Sequence, residues 1–220
     1  MKLDKVVADA RRWGWTRSLL THALARIRRY TGLDVYHIFV RDLQRPACPA
    51  QHVPDGITVR IARSEELVAA AEDPDLDMDP EVIRKALARG DIAFGAFHGK
   101  KLVAYTWRAF KACPHKDGLW AQFEAPYLYQ YHSHTKPSFR GKRIQLAVSN
   151  FSDDYALARG YSAIVAFTDV SNFSSLAMHE VAGEQGIGYA GYVKWFGRSI
   201  PYRTPAVKKV GFRFERLSAR

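Results

Sequence analysis

Apolar residues recur at helical spacing through residues 3–30. Leu3, Val6, Ala10 and Trp13 share one face, and Leu20, Leu24 and Ile27 share one further along. Gly14 breaks or kinks this run, and Thr31-Gly32 ends it. Val35–Leu43 then reads as a strand and the proline-bearing Gln44–Asp55 as a linker. Ile57–Ala62 alternates as a short strand. Ser64 caps the next helix, with Glu65 and Glu66 near the positive end of its dipole. Asp73-Pro74 closes that helix, Asp79-Pro80 opens another, and Gly90 ends it. Ile92–Phe97 and Leu102–Ala109 follow as a hairpin.

Trp120–Thr135 reads as one long strand region, and a helix follows from about Gly141 to Arg159, stopped by Gly160. Ser162–Thr168 is an almost continuous apolar run, as a strand buried on both faces requires. Asn172 or Ser174 caps a helix reaching about Gly183. Tyr189–Gly197 is a further strand, and Val207–Phe214 reads as a last one. The pattern predicts an α/β chain with a mixed sheet, hairpins early and crossovers late. It divides into an N-terminal helix, strand and linker (1–56), a main domain (57–198) and a basic extension (199–220).

The 220 residues carry a net charge of +11. Such a surface attracts anions of several kinds, but no zinc-finger, RNP-type or basic-zipper pattern is present, so nucleic acid is not the expected partner. The basic helix over 3–30 suits an anionic membrane or a partner protein as well as packing on its own domain. No apolar run approaches the ~20 residues needed to span a bilayer. Cys48 and Cys113 are far apart, which fits neither a disulfide framework nor a metal site. The expected location is the cytoplasm, with peripheral contact at the inner face of the membrane as an added expectation.

The chemistry concentrates in Tyr127–Ile144. An alternating aromatic strand breaks at Lys136-Pro137 and enters a basic loop, Arg140-Gly141-Lys142-Arg143, at a helix start. First-turn N–H groups lack partners within their helix, and its dipole favours anions there, so this arrangement suits phosphate. Strict alternation puts Glu124, Gln130, His132 and His134 on one face of the strand. Tyr127, Tyr129, Tyr131, Ser133 and Thr135 take the other face, unless a bulge intervenes.

Residues Ile57–Arg198 resemble the GNAT superfamily of N-acyltransferases on two patterns. In His134–Gln145, Pro137, Arg140, Gly141 and Ile144 match the family's central strand and phosphate loop. Arg143 and Gln145 stand where it carries glycines. In Asn172–Gly183, Asn172, Ser175 and Gly183 match, and His179 takes the place of a tyrosine. The resemblance implies a mixed sheet with helices on both faces. It also implies acetyl-CoA or another acyl-CoA as donor, no metal, and a small-molecule amine or amino sugar as acceptor.

Under that resemblance the cofactor would lie along Ser133, Thr135, Arg140, Gly141, Lys142, Arg143, Ile144, Gln145, Asn172 and Ser175. Glu124 or His132 would take the amine proton in a direct attack, and His179 would protonate the departing thiolate. Two other readings stand beside acetyl transfer. One is a synthase that takes longer chains from acyl-CoA or an acidic acyl carrier protein to make N-acyl amino acids or related lipids. The other is an inactive fold used for binding.

Overall fold

The computed structural model describes residues 10–11, 14–44 and 54–216. The helix expected over 3–30 lies outside the described residues at 3–9 and 12–13, as does most of the expected linker. The chain is mixed α/β, with a large mixed sheet flanked by helices. Its helices are α1 (Trp15–Thr31), α2 (Ser64–Ala70), α3 (Pro80–Arg89), α4 (Ile144–Leu157), α5 (Phe173–Val181) and α6 (Pro205–Lys209). The early strands are β1 (Asp34–Asp42), β2 (Ile57–Ile61), β3 (Ile92–His98), β4 (Lys101–Ala109) and β5 (Cys113–Pro114). The later ones are β6 (Trp120–Gln122), β7 (Tyr127–Thr135), β8 (Ala163–Asp169), β9 (Gln185–Trp195), β10 (Arg198–Arg203) and β11 (Arg213–Glu215).

The described residues form two compact units that interleave along the chain. One holds the residues up to Phe39, Pro114–Gln122, and those from Phe167 onward. The other holds Val40–Cys113 and Phe123–Ala166.

In the second unit, β2, β3, β4 and β7 are successive antiparallel neighbours, and β8 joins β7 in parallel. Helix α3 is set by local chemistry. Pro80 sits where no N–H is needed, Asp79 accepts from the Glu81 N–H, and Gly90 takes φ 86° at the C-cap. Helix α4 lays Ile144 and Val148 on Phe94, Ala96, Val103 and Ala104. Each such aliphatic burial is worth about 1.5–3 kcal/mol. Behind this layer, Asp153 of α4 accepts from Arg41 on β1 and Arg108 on β4, all three buried.

In the first unit the strand order is β10-β9-β1-β8. Tyr36, His115, Phe167, Tyr192 and Phe214 pack there as one aromatic cluster. Gly191 of β9 has no room for a side chain, because a Cβ would lie 1.9 Å from the Asp34 carbonyl oxygen. Backbone cannot yield as a side-chain tip can. Gly191→Ala is therefore expected to cost about 3 kcal/mol of unfolding free energy in urea titration.

Two elements differ from the pattern-based expectation. Trp120–Thr135 is two strands, because Pro126 cannot donate to a ladder and the chain turns there, with the Tyr127 N–H on the Glu124 carbonyl. Where the pattern predicts a strand over Val207–Phe214, Pro205 starts α6, and the strand there is confined to Arg213–Glu215.

Candidate active site

The site is built around a bulge in β7. Tyr105 of β4 pairs with His134 and Trp107 pairs with Tyr131, so Thr106 faces two residues, His132 and Ser133. His132 takes φ 44°, a left-handed conformation that non-glycine residues adopt at a cost. The extra residue resets the alternation. Tyr129 stacks on Tyr131, Tyr131 on Trp107, and beyond the bulge His134 stacks on Tyr105, so these side chains share one face. Gln130, Ser133 and Thr135 take the other, bonding Arg108, Thr106 and Gln145. Strict alternation would have placed His134 with Gln130 and the tyrosines with Ser133.

On the aromatic face lies a cavity of about 470 Å³, lined among others by Asp73, Asp77, Asp79, Tyr105, Trp107 and His132. Its acidic rim is a loop tied to the sheet at several points. The Tyr105 hydroxyl donates to the carbonyls of Leu76 (3.1 Å) and Asp77 (3.3 Å). His134 Nε2 donates to the Asp75 carbonyl (2.9 Å), and Lys136 Nζ donates to Asp73 (2.5 Å). Tyr131, beside the bulge, is anchored through its hydroxyl to the buried Asp91 (2.5 Å), which also pairs with Arg89. His132 is solvent-exposed at the cavity, and partial desolvation sets its pKa below the ordinary value, with Asp77 pulling the other way. The imidazole is therefore neutral at pH 7 and able to accept a proton.

On the opposite face β7 runs toward the start of α4. The parallel β7–β8 ladder covers Tyr127↔Ala163 to Tyr129↔Val165 and, among the described residues, stops there. Arg140 Nε donates back to the Thr135 carbonyl (3.0 Å). Gly141 takes φ 77° in open space, and Arg143, the N-cap of α4, takes φ 58°. Arg143 thus keeps the left-handed backbone that a glycine adopts freely. The first turn of α4 has no acidic residue and no side-chain cap, while Arg140, Lys142 and Arg143 are exposed around it. Anion-favouring N–H groups without a competing carboxylate fit a phosphate. Gln145 turns inward instead, accepting from the Thr135 hydroxyl (3.1 Å) and donating to the Tyr105 carbonyl (3.3 Å).

His132 thus lies at the cavity, while Ser133 and Thr135 point to the other face of β7, where Thr135 bonds Gln145 at the start of α4 next to Arg140–Arg143. Glu124 is at neither place: it lies in the turn before β7, at the end away from the bulge. Asn172, Ser175 and His179 belong to the other unit. Asn172 caps α5 by accepting from the Ser175 N–H (3.2 Å) and the Ser174 hydroxyl (2.9 Å). His179 is buried, with Nδ1 on Glu184 (2.6 Å), Nε2 on the Thr168 hydroxyl (2.7 Å) and its ring stacked on Phe39.

The acidic rim has no mark of its own in the sequence pattern. Asp73-Pro74 and Asp79-Pro80 read as helix punctuation, and they are that; their second use needs Tyr105, His134 and Lys136 to fold the loop over the sheet.

No protein-family profile and no curated protein sequence matches the chain. Solved structures do. A conserved protein of unknown function from Staphylococcus epidermidis aligns at a TM-score of 0.55 and 11% identity, over 76% of this chain and 63% of that one. A GCN5-related N-acetyltransferase from Sphaerobacter thermophilus aligns at 0.50 and 15%, over 89% and 56%. Another from Kribbella flavida aligns at 0.50 and 11%, over 87% and 66%. The chain thus spans less than two thirds of the length of these structures. Its element order and these alignments agree: the chain has the fold of the GCN5-related N-acetyltransferase structures.

Proposed function

We propose that the protein is an N-acyltransferase that moves an acyl group, most simply acetyl, from acyl-CoA to a primary amine held in the 470 Å³ cavity. The observation that carries this reading is the bulge at His132. One strand presents a neutral imidazole to a cavity with an acidic rim, and eight residues on, the chain enters an anion-favouring loop at Arg140. When bound, an acyl-CoA supplies the activated carbonyl. Its phosphates would be held by the α4 N-terminus with Arg140, Lys142 and Arg143, and its arm would follow Ser133 and Thr135.

The protein's own residues do the rest. Carboxylates at the rim attract the protonated amine, and His132 accepts its proton so that the nitrogen lone pair can attack the acyl carbonyl; the C–N bond would form as the C–S bond breaks, and CoA would leave as a thiolate that takes up the proton shed by the new amide nitrogen. Tyr105 and Trp107 wall the cavity beside His132.

Thermal-shift titration with acetyl-CoA, longer acyl-CoAs and free CoA tests the donor. Binding to the folded state alone adds about 2.7 kcal/mol at a hundredfold excess over Kd, so the Tm should climb with ligand concentration. A Tm that none of these ligands moves would overturn the proposal.

A further inference from the structure

Helix α1 turns its polar side inward. Ser18 is fully buried, and Arg28 reaches Asp34 (3.0 Å) and Asp169 (2.6 Å). Left outside are Trp15, Leu19, Leu20, Ile27 and Tyr30, each between 44% and 75% exposed. At helical spacing Trp15, Leu19 and Tyr30 fall in one stripe, which Ile27 and Leu20 widen. An ordinary surface helix does the reverse and buries its apolar stripe.

A second element repeats the anomaly. The β9–β10 hairpin turns on Phe196-Gly197, with φ 45° and 73°. Positive φ at both positions belongs to a turn in which asparagine followed by glycine is the favoured pair. Here the strained position carries a phenylalanine that is 89% exposed, beside Trp195 at 61%. The two elements are neighbours. The Lys194 N–H donates to the carbonyl of Gly32, the C-cap of α1, and a Cβ on Gly32 would lie 2.6 Å from Lys194 Cβ.

Charge selects the occupant. Helix α1 contains no acidic residue, Arg26 and Arg198 are exposed, and the chain carries +11. Two copies at that charge repel each other, whereas an anionic lipid surface is complementary. Tryptophan and tyrosine near the two ends of a helix, with leucines between, suit the headgroup level of a bilayer. No described helix is long and apolar enough to cross a membrane, so the contact is one of lying on the surface. We propose that the outer face of α1 and the Trp195-Phe196 turn dock the protein onto an anionic phospholipid bilayer. This stands independently of the acyl-transfer reading.

Flotation of the full chain with vesicles tests it. The protein should float with phosphatidylcholine vesicles carrying about 30% phosphatidylglycerol, weakly or not at all with phosphatidylcholine alone, and less at high salt. Phe196→Asn should weaken partitioning about tenfold. The same variant should melt no lower than the wild type, since asparagine suits that turn, so lost binding cannot be blamed on misfolding. Leu19→Gln should weaken partitioning through the other element. Absence of flotation with the anionic vesicles overturns the proposal, as does unchanged partitioning of both variants. A dimer in gel filtration that Phe196→Asn dissolves, without vesicle binding, reassigns the surface to a second copy and overturns it equally.

Discussion

Replacing His132 by glutamine is expected to lower kcat by about 10²–10⁴-fold, the usual contribution of a positioned general base. Acceptor KM should move little, because the acidic rim and the Tyr105 and Trp107 walls remain. The pH profile is the sharper readout. Desolvation depresses the His132 pKa, so the base is neutral above that lowered value and is lost by protonation as pH falls through it. The wild-type rate should therefore persist below the pH at which an ordinary histidine would be half protonated, and the acidic limb should vanish in the variant. Linkage has the same sign. A folded-state pKa below the unfolded one means that stability is full above the unfolded value and declines as pH falls toward the folded one. A variant within threefold of the wild-type rate, with its acidic limb intact, would remove His132 from the mechanism.

Asp153→Ala should be the most destabilising single change at a buried ion pair, at about 3–5 kcal/mol in urea unfolding. The carboxylate accepts from both terminal nitrogens of Arg41 and lies 3.4 Å from Arg108 Nη2, and all three residues are buried. Its removal leaves two guanidinium groups facing each other without the anion between them. The surface pair Glu81–Arg84 gives the scale for comparison: its removal should cost under about 1 kcal/mol, since water screens it. The loss should also reach the site. Arg108 bonds Gln130 on β7 and Ser152 on α4, fixing the strand just ahead of the bulge. A loss below about 1 kcal/mol for Asp153→Ala would show that the buried charges find another arrangement.

Much of this was legible in the chain because the physics is local. Pro80 with Asp79 begins α3 and Gly90 ends it, since capping and φ preferences act over a few residues. The apolar run at Ser162–Thr168 announces a buried strand, found at Ala163–Asp169. The Arg140–Arg143 loop leads into α4, and Arg143 even keeps a glycine's backbone without being glycine. Helix α1 was recognisable as basic and amphipathic, but periodicity cannot say which side meets the protein; Ser18 and Arg28 show that it is the polar one.

The candidate site is where local reasoning stops. A bulge has no reliable sequence mark, yet one extra residue exchanges every side chain beyond it between the two faces of a strand. For that reason His134 joins the tyrosines, while Glu124, which shares parity with His132, lies in the turn before β7 and outside that strand. His179, in the place of the family's tyrosine, is a plausible acid by residue type, but its position between Thr168 and Glu184 is decided by packing. The sequence by itself determined the order of most elements between β1 and β9, the phosphate-suited loop and the fold they imply, because periodicity, capping and turn chemistry are short-range. The tertiary structure alone decided which histidine faces a cavity, which acids rim it and which apolar residues stay outside. Those depend on strand register and on contacts between residues far apart in the chain.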